Sequence, residues 1–145
     1  MHDATGTKLT LLLSAALCGA LTGCGGATLQ PTQRRAEAAQ WVRVEVTEVD
    51  RDILSFDVYN LSKLTLVVLR DKIVLETPQG RRGREPGGLR NYYNLPPGSM
   101  HDVKVKFDLS DCSPGQEVKV SFENALVADG APIRIAPIPF TCLEP

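Results

Sequence analysis

The sequence predicts an all-β fold, a two-sheet antiparallel sandwich over residues 40–145, from three observations. From Trp41 onward apolar residues recur with a period of two, the mark of strands with one face buried and one face wet. Turn residues return every 8–12 positions, the spacing of short strands joined by tight connections. No apolar pattern of helical period persists for ten or more residues in that region.

The elements follow in order. Val42, Val44 and Val46 alternate with Arg43, Glu45 and Thr47, a half-buried strand. Asp50-Arg51-Asp52 is turn-like, and Leu54, Phe56 and Val58 then alternate with Ser55 and Asp57. Asn60-Leu61-Ser62-Lys63 breaks that run before the apolar stretch Leu64 to Leu69, and Ile73 to Thr77 follows Arg70-Asp71-Lys72. After a long loop, Val103, Val105 and Phe107 alternate with Lys104 and Lys106, and Val118, Val120 and Phe122 with Lys119 and Ser121. Ile133 to Ala136 and Ile138 to Thr141, parted by Pro137, close the chain. Seven or eight short strands in about 105 residues predict an immunoglobulin-like sandwich, with a small barrel as the second choice.

The N-terminus reads as an address. The run Leu9 to Leu21 is apolar and follows Lys8. It is shorter than the roughly 20 residues a membrane-spanning helix needs and has the length of a signal-peptide core. It ends in Leu21-Thr22-Gly23-Cys24. These four residues, with the apolar run before them, resemble the lipobox of bacterial lipoproteins. The resemblance implies a cleaved signal helix over residues 1–23, a lipid on the Cys24 thiol, and a membrane partner reached through that lipid. Gly25, in place of Asp, implies the outer membrane by the enterobacterial sorting rule, with the domain facing the periplasm of a Gram-negative envelope. The competing reading is an ordinary secreted protein in which Cys24 is incidental. Residues 24–39, with Gly25-Gly26 and Pro31, are expected to be the lipidated Cys and a flexible tether, with a turn of helix over 34–40.

Composition narrows the function classes. A formal net charge of −1 offers no field that would draw nucleic acid or an anionic surface to the whole chain, so no nucleic-acid partner is expected. Setting aside Cys18 in the signal and Cys24 leaves Cys112 and Cys142. In an oxidising compartment an even pair reads as one disulfide. Two free thiols or a metal pair are the alternatives, and zinc sites want four clustered ligands.

Catalytic chemistry is not signalled. His101 is the single histidine beyond the signal, and Asp102 beside it points to the opposite face of a strand; His101 reads as a surface residue next to a turn. Asp108 and Asp111 in "FDLSDCSPG" read as turn caps. The glycines of residues 80–88 lack the Gly-Lys-Ser/Thr ending of a phosphate loop. No cofactor, metal or enzymatic activity is expected. Asn60-Leu61-Ser62 is formally a glycosylation sequon and reads here as a turn.

The most distinctive surface stretch is Gly80 to Arg90, carrying Arg81, Arg82, Arg84 and Arg90, followed by Tyr92 and Tyr93. Long loops on sandwiches are where binding is usually placed, and arginine forks suit carboxylate or phosphate. The expected partner is an envelope protein or an anionic envelope component; the bland alternative is a solvated loop whose tyrosines pack in the sandwich. The strand Phe56 to Tyr59 ending in Asn60-Leu61-Ser62, and Leu95-Pro96-Pro97-Gly98 before another strand, are similar to small immunoglobulin-like domains of bacterial lipoproteins. That resemblance implies no particular activity. The reading is a membrane-anchored, non-catalytic binding or assembly module, with a periplasmic small-ligand carrier as the alternative.

Overall fold

The computed structural model describes residues 27–82 and 91–144. The expected signal segment, residues 1–23, and Cys24 lie outside the described residues. Thirteen strands appear among the described residues. They are β1 (Thr28–Pro31), β2 (Arg35–Ala38), β3 (Val42–Asp50), β4 (Ile53–Asn60), β5 (Leu66–Leu69), β6 (Val74–Thr77) and β7 (Gly80–Arg82). Then come β8 (Tyr92–Leu95), β9 (Met100–Lys106), β10 (Glu117–Ser121), β11 (Leu126–Ala128), β12 (Ala131–Pro132) and β13 (Ile138–Leu143).

Every pairing is antiparallel. One layer is the sheet β2-β3-β4-β9. The other layer has two hydrogen-bonded halves, β7-β6-β10-β13-β1 and β8-β5-β11-β12. The halves repeat one strand order, because each long strand is interrupted at the same level. A 3-10 turn at Arg70–Lys72 parts β5 from β6. Phe122 to Ala125 part β10 from β11, and residues 133–137 part β12 from β13. Amide–carbonyl bonds from Leu69 to Ala125 (2.7 Å) and from Arg70 to Asn91 (2.7 Å) stitch the crease.

Read as long strands, the connections place β3–β4 in one layer, the next two strands in the creased layer, β9 back beside β4, and the last two strands in the creased layer again. That is immunoglobulin-like Greek-key connectivity, as the strand spacing predicts. The core lies between the layers. Phe56, Phe107, Phe122 and Phe140 are at most 2% exposed. Phe56 of β4 meets Phe122 at the crease edge-to-face, with ring centroids 5.2 Å apart, a favoured aromatic geometry.

Three differences from the sequence reading have physical causes. Residues 28–31 and 35–38, read as tether and helical turn, are edge strands β1 and β2. Each sinks one apolar side chain, Leu29 or Ala36, into the core, and pairs with a long neighbour, β13 or β3. The sandwich therefore starts at Thr28, and only residues 25–27 separate it from Cys24. The expected strand over 133–136 is replaced by β12 at Ala131–Pro132, since 133–137 must cross the crease. Asp129 (φ 50°) and Gly130 (φ 74°) both take left-handed conformations, which closes β11 onto β12 as a two-residue hairpin.

Candidate functional site

The two cysteines meet. Cys112, in the loop after β9, is bonded to Cys142 on β13, with Cα atoms 5.7 Å apart and a sequence separation of 30. Cys142 is fully buried. The chain-entropy argument assigns such a loop about 3–4 kcal/mol of stabilisation.

The arginine–tyrosine surface comes together only in part. Arg81 and Arg82 lie on β7, opposite Glu76 and Leu75 of β6 in backbone register. Arg84 and Arg90 fall outside the described residues. Tyr92 is 56% exposed, whereas Tyr93 points inward, opposite Val68, and stacks 4.2 Å from the His101 ring. Adjacent strand residues face opposite ways, so the two tyrosines do not form one stacking platform. His101 is half-buried on β9, not a surface residue by a turn, because that strand begins at Met100 and turns its odd-numbered positions inward. Asp108 caps its turn as expected, its Oδ1 accepting the Ser110 amide at 3.0 Å.

The fold sorts the loops onto two poles, separated by the length of β3. Its nine residues span about 30 Å at ~3.3 Å each. Thr28 pairs with Leu143 and donates its hydroxyl to the Arg51 carbonyl. The near pole therefore holds both ends of the described chain, the 51–52 turn and the disulfide loop. The far pole holds the 39–41, 61–65, 96–99 and 129–130 connections.

At the far pole Trp41, Leu61 and Leu64 are 43%, 41% and 40% exposed. Two open troughs share Trp41. One, of about 380 Å³, lies between Ala38 at the end of β2 and Ala131, Pro132 and Ile133 around β12, with Arg134 at its rim. The other, of about 530 Å³, is bounded by Gln40, Leu61, Lys63 and Leu64. A cluster of exposed apolar side chains with a polar rim is the usual mark of an interaction site.

Sequence reasoning missed this pole. Its apolar residues look like core in one dimension; their exposure follows from Asn60. The Asn60 side chain, 1% exposed, donates Nδ2 hydrogen bonds to the carbonyls of Leu64 (2.7 Å), Leu95 (3.0 Å) and Pro96 (3.2 Å). Its Oδ1 accepts from the Ser62 amide (3.0 Å) and hydroxyl (2.7 Å). This holds residues 61–64 as a tight arch with Leu61 and Leu64 turned out. The sequon at Asn60 is thus a turn, its amide nitrogen closed to modification in the folded chain.

The outer face of β3, β4 and β9 carries a row of acids. Glu45 stands opposite Asp57, and Asp57 opposite Asp102. Glu45 is paired with Arg35 (2.8 Å) and Arg43 (3.3 Å), and the Arg43 guanidinium lies 4.4 Å over the Tyr59 ring. Burial first, then Asp102, then Glu45 raise the Asp57 pKa. No group of three or more His, Cys, Asp or Glu among the described residues is arranged to hold a metal ion. Compared with known protein families, curated proteins and solved structures, the chain matches none.

Proposed function

We propose that the chain is a bacterial envelope lipoprotein, held on its membrane by a lipid on Cys24, whose sandwich acts as a non-catalytic binding or assembly module. The observation that carries the reading is Leu21-Thr22-Gly23-Cys24 directly behind the apolar run Leu9 to Leu21. By the sorting resemblance at Gly25 the membrane is the outer one and the domain faces the periplasm. Two acyl chains suffice for stable anchoring, each buried CH₂ contributing about 0.8 kcal/mol.

Only three residues, 25–27, lie between Cys24 and β1 at Thr28. A connection that short reaches at most about 14 Å even when extended. The near pole then stands next to the membrane and the far pole points away from it. A module so held meets partners, an envelope protein or an anionic envelope component, on its sides or at its far pole. The small-ligand alternative calls for space between the layers. That region is occupied by Phe56, Phe107, Phe122, Phe140 and the valines of β3, β4 and β9, which favours the binding-module reading.

The test is metabolic labelling with a palmitate analogue, followed by fractionation of cells carrying wild type or Cys24→Ala. Label and membrane attachment are expected with wild type and neither with the variant. A variant as labelled and as membrane-bound as wild type overturns the anchor. Cross-linking in native membranes, with Arg81, Arg82 and Arg84 changed to Glu in parallel, then tests whether a partner engages the arginine stretch.

A further inference from the structure

We infer that the far pole is a docking surface for an extended segment of a partner protein, apolar in its middle and carrying carboxylates beside the apolar residues. The inference deepens the binding-module reading and rests on it.

Three observations set the occupant. The first is shape. The trough beside Trp41 runs between Ala38 on β2 and Ala131–Pro132 on β12, and each of these strands is the edge of its sheet. An edge strand has one side of its backbone without a sheet neighbour, so the walls suit a chain in extended conformation.

The second is the apolar anchor. Trp41, Leu61 and Leu64 are exposed at the pole, and Trp41 lines both troughs. Aromatic side chains so placed carry much of the energy of protein interfaces.

The third is charge. The side chains bounding the two troughs include Lys63 and Arg134 and no carboxylate. A partner segment bearing Asp or Glu is complementary to that rim, and a basic one is repelled.

A lipid bilayer is the competing occupant, since Trp, Leu and Lys also make membrane-interface contacts. The proposed anchor disfavours it. Cys24 holds the opposite pole to the membrane, and the length of β3, about 30 Å, separates the far pole from that surface.

Trp41 is the only tryptophan of the chain, so its fluorescence reports on this pole alone. The full lipidated chain in detergent is panned against a displayed random peptide library, and enriched peptides are synthesised and titrated against Trp41 emission. The expected peptides are apolar with flanking Asp or Glu. Their affinity should fall at least about tenfold in Trp41→Ala, judged by cross-competition. It should fall by a similar factor in Lys63→Glu/Arg134→Glu and weaken with added salt. Both changes lie on exposed side chains, outside the core.

In parallel, the full chain is reconstituted through its anchor into phosphatidylethanolamine–phosphatidylglycerol vesicles containing brominated acyl chains. Trp41 emission is expected to be unquenched. Quenching by the brominated lipid overturns the inference in favour of a membrane face. Enriched peptides that are basic or insensitive to Trp41→Ala, or no enrichment at all, overturn it too. Those results leave the anchor and the module reading standing, since labelling at Cys24 and cross-linking in membranes judge them separately.

Discussion

Replacing Asn60 by Asp changes one NH₂ to oxygen and should be among the most damaging isosteric changes in the chain. The amide nitrogen has two hydrogens and three carbonyl oxygens within 3.2 Å, so one N–H is shared. A carboxylate oxygen in that place donates nothing and faces three acceptors at a site that is 1% exposed. Each buried acceptor stripped of its donor costs about 1–3 kcal/mol, and an unpaired buried charge costs several kcal/mol. We expect Asn60→Asp to lose about 3–5 kcal/mol at pH 7, against about 2–4 for Asn60→Ala.

The charge adds a pH signature. Protonated, the new carboxyl donates one O–H to a carbonyl, so the folded state holds its proton more tightly than the unfolded state, where the pKa is about 3.9. Raised in the folded form, this pKa makes stability fall as pH rises above the unfolded value, by at most about 1.4 kcal/mol per pH unit. The deficit of Asn60→Asp relative to wild type should therefore be small near pH 4 and large at pH 7, while that of Asn60→Ala stays constant. Urea denaturation followed by Trp41 fluorescence measures both. An Asn60→Asp chain within about 1 kcal/mol of wild type at pH 7, or a deficit that does not change with pH, refutes the argument.

Two further perturbations follow from the geometry. Asp102→Asn removes a like charge directly across from Asp57 and should stabilise by a few tenths to about 1 kcal/mol at pH 7. Burial first, and then Asp102, raise the Asp57 pKa in the folded state, so the Asp57–Asp102 repulsion is present above the folded value and relieved below it. The gain should shrink in acid and in high salt; a gain that grows as pH falls counts against the acid row. Reducing Cys112–Cys142, or changing both to Ser, should cost about 3–4 kcal/mol, read as a lower urea midpoint. An unchanged midpoint under reducing conditions would mean that the bridge adds nothing.

The long strands were legible because their two faces see different solvents. Val42, Val44 and Val46 are buried while Arg43 and Glu45 are not, and this contrast is the alternation itself. Strands β1, β2 and β8 were not, because each buries a single apolar residue, Leu29, Ala36 or Leu95. One buried residue makes no period, and the partners that order these strands lie far away in sequence, as Thr28 and Leu143 do. β11 carries a usable signal in Asp129-Gly130, a hairpin dipeptide, although its own apolar run is short. The split of Tyr92 from Tyr93 follows from strand alternation once Tyr92–Leu95 is known to be a strand. The exposed pole was illegible for another reason. Whether Leu61 and Leu64 sit inside or outside depends on carbonyls at Leu95 and Pro96 reaching the Asn60 amide, a contact that local pattern does not encode.

The placement of β13 bears on when the domain can form at all. It is an interior strand of its sheet, with β1 on one side and β10 on the other, yet it is the last strand among the described residues. Neither pairing can close until residues 138–143 are present, and joining segments so far apart in sequence carries a loop-closure cost that slows folding. On the proposed route to the envelope, a chain threading the inner membrane would leave this sheet open until residues 138–143 had crossed. On that route the β1–β13–β10 part of the sheet would close only after export of residues 138–143, a consequence of strand order.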